Sequence, residues 1–430
     1  MKILIISYYW PPSGGSGVQR WMYFAKYLGE FGIEPTIITV KENQASYSSV
    51  DESLVQEIEH IRTFKTSTLE PIRLYSFLKS GNAKKSIPQG NVGGKKPGMI
   101  DKMARFIRAN YFIPDARVGW NPYAFKKAKQ LLQTEKFDFV ITTGPPQSTH
   151  LVGLKLKKMM PNICWIADFR DPWTEVYYNE LFKRTKSNEA KDQKMELDVL
   201  QESDMVLTVG PSMQKLLQSK IENQKDKVKF IFNGFDETKI RKAKVIANDI
   251  FTIAYIGTLS ANYPYKSIVA AFNQIKETAE NKKFQINLAG KIEADVLADF
   301  KALESESILI NYHGIIAHNE ALSLMKNADL LLLCLPVYEG SSIFVSGKLL
   351  EYVACNKPIL GVFNPESDAG FLVENYTHGK VFLPENQLEI FNFIQDALNG
   401  NLTMKTDLRS PSEFERKATA KELADLLKDI

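Results

Sequence analysis

The sequence predicts an α/β protein built as two Rossmann-like, doubly wound domains that face an interdomain cleft, and three observations carry that prediction. A chain of 430 residues exceeds one ordinary hydrophobic core, so two domains are the natural division. Apolar runs of strand length alternate with segments at helical spacing from Lys2 to Val40 and again from Asn121 to Phe232, and the alternation restarts at Ile250. The polar stretch Glu237 to Asp249 between the two series reads as a linker. The expected domains are 1–240 and 241–409, with a last helix in 410–430 that crosses back onto the first.

Composition narrows the classes. A net charge of +4 is too small to argue for nucleic acid, and nothing in the chain reads as fibrous or disordered. The 3 cysteines, Cys164, Cys334 and Cys355, lie in apolar runs, which fits buried thiols, a reducing cytoplasmic setting and no zinc pattern. The opening run MKILIISYYW is too short to span a membrane and leads into Pro-Pro and a Gly cluster, so it reads as the first strand.

In the first series, strand Lys2 to Ser7 leads to the Gly-rich loop Tyr8 to Gly17, helix Val18 to Phe31 and strand Pro35 to Val40. Gly15 and Gly17 stand where phosphates or sugars are held at a strand's carboxyl end. A dinucleotide fingerprint fits poorly, since Arg20 occupies the third small position and the loop is long. From Lys41 to Arg117 the pattern is loose. The stretch Lys79 to Arg117 is strongly basic, and 99–112 holds the apolar stripe Met99, Met103, Phe106, Ile107, Tyr111 beside Lys102, Arg105 and Arg108. Such a helix can lie on an anionic membrane surface, or pack its stripe on the domain while the cations solvate a loop.

After Asn121 the alternation is regular: helix Pro122 to Thr134, strand Phe137 to Thr143, loop Gly144-Pro145-Pro146, helix Gln147 to Met160 and strand Ile163 to Asp168. Strand ends carry chemistry in this architecture, so His150, Asp168, Arg170 and Asp171 are the polar candidates here. A lone helix histidine is also a common structural residue, and Arg170 with Asp171 also reads as a loop-fixing ion pair. Strands Asp204 to Val209 and Lys227 to Phe232 complete the first sheet.

The second series has strands Phe251 to Ile256, Phe284 to Ala289, Ile308 to Tyr312, Asp329 to Leu335 and Pro358 to Phe363. Between the last two lies a helix whose apolar side is Leu349, Leu350, Val353 and Ala354, with Lys348 and Glu351 together on the other. Ser346 and Gly347 sit at the N-cap. A strand, a small-residue loop and a helix N-terminus with a cation make a phosphate-ready turn. The competing reading is a weak surface ion pair between Lys348 and Glu351.

Taken together, PPSGGSGVQR, the turn Asn233-Gly234-Phe235-Asp236, YIGTL at a strand end and GKLLEYVACNKPIL resemble glycosyltransferase family 4, retaining enzymes of the GT-B fold. The segments Asp168 to Trp173 and Lys348 to Pro358 are most similar to the branch that builds bacterial surface polysaccharides. The resemblance implies a nucleotide-sugar donor, UDP-sugar favoured, bound by the second domain, and a saccharide or lipid-linked acceptor bound by the first. It implies donor-binding roles for Gly15, Gly17, Gly257, Lys266, Ser346, Gly347, Lys348 and Glu351, with Glu351 on the ribose hydroxyls. Catalytic roles fall on His150, Lys266 and Lys348, and acceptor or cleft roles on Asp168, Arg170 and Asp171. Leaving-group stabilisation by cations, amides and a helix dipole needs no metal, and no cofactor is implied.

One departure matters. The family's first glutamate stands eight residues before Glu351, where this chain has Ile343, and Glu339 substitutes only through a different loop geometry. The family's arginine near the start of the second domain is missing, which leaves Lys348 to supply the charge. A nucleotide-sugar epimerase or hydrolase, and a non-catalytic nucleotide-binding homologue, are the competing functions. The expected location is cytoplasmic, peripheral on the inner membrane face if the basic helix anchors.

Overall fold

The computed structural model describes residues 1–47, 49–70, 106, 109–175, 184–246, 249–278 and 282–430. Most of the basic stretch 79–117, including the greater part of the 99–112 stripe, therefore lies outside the described residues. The chain forms two compact units, Met1–Phe232 with Thr419–Ile430, and Asn233–Ala418.

In the first unit seven parallel strands, β1 (Lys2–Ile6), β2 (Glu34–Val40), β3 (Arg62–Thr66), β4 (Phe139–Gly144), β5 (Cys164–Phe169), β6 (Met205–Thr208) and β7 (Val228–Phe230), run in the order β3-β2-β1-β4-β5-β6-β7. In the second, β8 (Phe251–Ile256), β9 (Phe284–Ala289), β10 (Ile308–Gly314), β11 (Leu330–Cys334), β12 (Ile359–Val362) and β13 (Lys380–Phe382) repeat that plan as β10-β9-β8-β11-β12-β13. Each order reverses beside its first strand, between β1 and β4 and between β8 and β11. Ligands of open parallel sheets bind outside the strand carboxyl ends at such a switch point. The strands read as unbroken apolar runs because helices cover both faces of a parallel sheet: Ile3 to Ile6 and Leu330 to Leu333 are all buried.

The helices that place the sites in the first unit are α1 (Ser16–Leu28), α2 (Asn121–Thr134), α3 (Ser148–Met159), α4 (Lys186–Glu202) and α5 (Pro211–Lys220). Those of the second are α6 (Tyr265–Thr278), α7 (Ala294–Lys301), α8 (His318–Asn327), α9 (Gly347–Ala354), α10 (Asp368–Tyr376) and α11 (Gln387–Asn399). The last helix, α12 (Arg416–Lys428), puts Ala420, Leu423, Ala424 and Leu427 into the core of the first unit, beside Ile3, Trp21, Leu28 and Ile231.

Several elements depart from the sequence reading. β3 falls in the stretch read as loose; only Thr63, Phe64 and Thr66 of its five residues are even partly buried, so no apolar run advertises it. β13 is three residues long, below what periodicity can register. The expected linker begins with a helical turn, Glu237–Lys242, capped by the Asp236 carboxylate through the Lys239 amide at 3.3 Å. Cys334 is buried, whereas Cys164 and Cys355 are partly exposed; all three thiols are free. Among the described residues no helix is long and apolar enough to cross a membrane.

Candidate functional site

At the switch point of the second unit the chain leaves β8 through Gly257, whose φ of +128° is open to glycine and strained for other residues. A Cβ there would stand 3.2 Å from the Lys348 ammonium, so the missing side chain is also what admits Lys348 to the strand end. Its Nζ sits 3.7 Å from the centre of the Tyr255 ring, a cation–π contact. Tyr255 is itself pinned by its hydroxyl, which donates to Thr258 O at 2.6 Å. Burial pushes the Lys348 ammonium down to about 7, and among the described residues no carboxylate pairs with it.

α9 delivers Lys348 because its sequence fixes both its ends and its rotation. Ser346, extended at φ −68° and ψ 142°, precedes the first turn, and Leu349, Leu350, Tyr352 and Val353 are buried. Asn356 at φ 52° takes the left-handed conformation that stops a helix, with Pro358 beyond. The Tyr352 hydroxyl accepts the Ile256 amide at 2.9 Å and ties the helix to the end of β8. Ser346 Oγ is buried with no partner among the described residues. Lys348 stands in the first turn of the helix, so cation and helix dipole share one sign at one place.

Lys348 and Glu351 do not form the surface pair. Three residues set them about 60° apart around the axis, enough to part them. Lys348 leans to the strand end, while Glu351 Oε1 meets His318 Nε2 at 2.8 Å. That bond raises the His318 pKa, and His318 opens α8. The sequence reading missed His318, whose only signal was its position at the start of a helix. Lys266 is exposed in the first turn of α6. The loop ahead of it is shaped by Glu293, whose carboxylate accepts from Ser260 Oγ at 2.5 Å and the Ala261 amide at 2.9 Å. Ile343 closes a short 3-10 turn, Ser341–Ile343, preceded by Gly340 at φ +84°. Glu339 is exposed on the far side of that turn, in a loop knotted by the Ser341 amide on Tyr338 O at 3.0 Å.

In the first unit, Gly15 at φ +92° turns the chain into α1, and a Cβ on Gly17 would lie 3.3 Å from Arg170 Nη1. Arg170 reaches there from the end of β5, held by Nε on Gly144 O at 3.0 Å and Nη2 on Pro145 O at 2.5 Å. Arg170 thus fixes its loop through carbonyls rather than through the expected Asp171 pair. A cation aimed at a helix N-terminus is unfavourable by itself, and an anion between the two relieves it. Asp171 is exposed, and its carbonyl accepts from Gln147 Nε2 at 3.2 Å.

Asp168 is an internal anchor, which corrects its expected cleft role. The fully buried carboxylate accepts from Arg20 Nε at 3.1 Å, Trp21 Nε1 at 2.6 Å and Thr143 Oγ1 at 2.7 Å. Arg20 spends its other nitrogens on Ile231 O at 2.8 Å and Thr208 O at 3.1 Å. One ion pair thereby ties α1 to the ends of β5, β6 and β7.

His150 is fully buried, stacked 4.5 Å from Phe169, and burial together with the Arg170 charge pushes it down to about 3. It is therefore neutral at neutral pH, and its tautomer follows from its neighbours. Trp165 Nε1, which can only donate, gives its proton to Thr142 Oγ1 at 2.9 Å. The Thr142 hydroxyl proton then goes to its remaining partner, His150 Nδ1, at 2.9 Å. The ring proton is left on Nε2, a donor with no partner, next to the equally unpartnered acceptor Gln147 Oε1. Both atoms crowd the open side of Gly144, at 2.6 and 2.3 Å from where its Cβ would be. A donor and an acceptor so placed suit a hydroxyl group. Among the described residues no three His, Cys, Asp or Glu side chains gather as a metal ligand set.

No family model and no curated protein matches the sequence. Solved structures do match over the full length. A glycosyltransferase from Rickettsia africae ESF-5 shares 15% identity at TM-score 0.60, covering 100% of this chain and 98% of that one. The lipopolysaccharide outer core galactosyltransferase WaaB in its apo form shares 13% identity at TM-score 0.61, with 100% of both chains covered. The UDP-GlcNAc 2-epimerase from Neisseria meningitidis, solved with UDP-GlcNAc bound, shares 12% identity at TM-score 0.56 over 100% of both chains. At such identities the likeness is one of fold, and on it the two parallel sheets of this chain are the two Rossmann-like units of the GT-B architecture.

Proposed function

We propose that this protein is a retaining glycosyltransferase of family 4 type that moves a sugar from a nucleotide donor, UDP-linked by preference, to a saccharide or lipid-linked acceptor of a cell-surface polysaccharide. The observation that carries the reading is the Lys348 ammonium over Tyr255 at the β8 end, at the N-terminus of α9 and, among the described residues, without a carboxylate partner. Such a site is electrostatically incomplete and a diphosphate completes it. Glu351, two carboxylate oxygens and one used on His318, is suited to ribose hydroxyls.

In the mechanism that follows, Lys348, Lys266 and the Ser346–Gly347 turn stabilise the departing nucleoside diphosphate, where negative charge develops. Arg170 and the Gly15–Gly17 turn add a second positive region in the first unit. His150 acts as a neutral hydrogen-bond donor to a sugar hydroxyl rather than as a titrating acid or base, because its pKa is too low to exchange protons near neutrality.

The test is a panel of nucleotide sugars incubated with and without a glycan or glycolipid acceptor fraction, read by mass spectrometry. Acceptor-dependent release of the nucleotide with a mass gain of one hexose on the acceptor is expected. Conversion of the donor without acceptor would favour the epimerase reading, which the likeness to a UDP-GlcNAc 2-epimerase supports. Absence of any turnover with intact nucleotide binding would leave the non-catalytic reading.

A further inference from the structure

Arg117, just ahead of the 3-10 turn Val118–Trp120, has no part in the reading above. It is 4% exposed, and its Nε and Nη1 have no hydrogen-bond partner among the described residues. Its Nη2 donates to Ser46 O at 3.2 Å. A buried guanidinium N–H left without an acceptor pays its desolvation cost uncompensated, so the arrangement calls for an acceptor.

The neighbouring carboxylates cannot be that acceptor. Glu70 receives the Tyr8 hydroxyl, the Ser46 hydroxyl and Thr68 Oγ1. Asp115 is spent on capping α3, taking the Ser148 amide at 2.8 Å and Ser148 Oγ at 2.9 Å, and on the Arg117 amide at 2.9 Å. Their charges still hold the guanidinium ionised. Burial works against its charge, the phenols of Tyr9 and Tyr8 and then Glu70 and Asp115 work for it, and the balance raises its pKa.

The surroundings are aromatic. Tyr8 packs edge-on against Tyr9 at 5.0 Å, Trp120 at 5.5 Å and Tyr47 at 6.2 Å. Tyr8 and Tyr9 follow β1 and Tyr47 follows β2, so the cluster stands at strand carboxyl ends. Tyr9 and Tyr47 are only partly buried and carry the cluster out to solvent. Rigid aromatic faces of this kind are suited to sugar rings, and a guanidinium with free donors is suited to an oxyanion.

We propose that Arg117 and the Tyr8, Tyr9, Tyr47 cluster form a binding site for an anionic group, a phosphate or a carboxylate, carried by the acceptor saccharide. The acceptor part of this statement rests on the glycosyltransferase reading; the oxyanion site does not. It separates charged acceptors from neutral ones, and makes Arg117 a specificity residue.

The experiment titrates sodium phosphate and, in a second arm, sodium acetate against sodium chloride at matched ionic strength, following Tm and tryptophan fluorescence of the full chain. Wild type is expected to show an oxyanion-specific rise in Tm; because the Lys348 site also attracts phosphate, the comparison is made in a Lys348→Met background, where adding Arg117→Met is expected to reduce the rise that remains. Whichever of phosphate and acetate acts at lower concentration assigns the anion. Because Arg117→Met removes a buried, incompletely paired charge, its Tm without ligand should equal or exceed that of wild type. A folded protein carrying Lys348→Met and Arg117→Met whose oxyanion response equals that of Lys348→Met alone, or a wild type with none beyond salt, overturns the proposal. So does a large loss of Tm in Arg117→Met, which would make Arg117 structural. If that variant does not fold, Arg117→Lys decides: binding weakened about tenfold by loss of the fork supports the site, and unchanged binding overturns it. Once an acceptor is in hand, Arg117→Met should raise its KM and leave the donor KM unchanged. Failure of the nucleotide-sugar panel with the oxyanion response intact would sink the transferase reading alone.

Discussion

Arg20 and Lys348 each bring a cation to the strand ends of a Rossmann-like sheet, and they are treated in opposite ways. Arg20 is 2% exposed, and its three nitrogens reach Asp168, Ile231 O and Thr208 O. Lys348 is half-buried, rests on an aromatic ring and has no carboxylate. The first arrangement is complete in the folded chain and leaves nothing for a ligand. The second is incomplete. A charge at a strand end is therefore informative about function only when its partners are counted, and by that count Arg117 belongs with Lys348 rather than with Arg20.

The largest effect should come from the completed pair. Asp168→Ala strands a buried guanidinium and an indole N–H, and should cost about 3–5 kcal/mol in denaturant unfolding, while nucleotide affinity of the folded fraction is unchanged. A loss below about 1 kcal/mol would break the distinction between the two regions. Lys348→Met should do the reverse: nucleoside diphosphate affinity falls by about 2–3 kcal/mol, as for a charged hydrogen bond, with stability equal or higher. The sign with pH is fixed by the depressed pKa of Lys348. Between about 7 and the usual lysine value the unfolded chain holds a proton that the folded one lacks, so this residue makes stability rise with pH across that window. Nucleotide binding near pH 8 should take up a proton, seen by calorimetry as heat that varies with buffer ionisation enthalpy, and lose that uptake in Lys348→Met.

A smaller effect is expected at Glu351. Calorimetry with UDP and GDP should show affinity for the preferred nucleotide reduced about tenfold in Glu351→Ala, and unchanged affinity would remove Glu351 from the ribose. Smallest is His318→Gln, which should cost less than about 1 kcal/mol of stability, since the pair is partly exposed. Its pKa is raised by Glu351, so the stability the pair supplies is full below the ordinary histidine value and fades as pH rises through the raised one; His318→Gln should flatten that slope.

The sequence showed the fold clearly where strands are buried on both faces, since β1, β4, β8 and β11 can only be apolar runs. It concealed β3, whose side chains are half-solvated, and β13, which is too short to show a period. At the site, the turn into α9 was readable because Ser, Gly and a helical apolar stripe are local signals. The directions taken by its side chains were not. Lys348 and Glu351 look alike on a helical wheel, and only Gly257 and His318, distant in sequence, decide where each one points. Asp168 shows the same limit in reverse, because a carboxylate at a strand end reads as functional until Arg20, Trp21 and Thr143 are seen to consume it.

The first unit is completed by Thr419–Ile430, which follow the whole of the second. Residues 233–418 build the second unit, and the outgoing and returning segments are joined by Phe235 N on Phe414 O and Arg416 N on Phe235 O, each at 2.9 Å. During synthesis the amino-terminal unit emerges first but must wait with Ile3, Trp21 and Leu28 uncovered until Leu423 and Leu427 leave the ribosome. The second unit can finish folding while the first is still open. Loss of Leu423 and Leu427 would thus leave its damage in a core built mostly from Met1–Phe232.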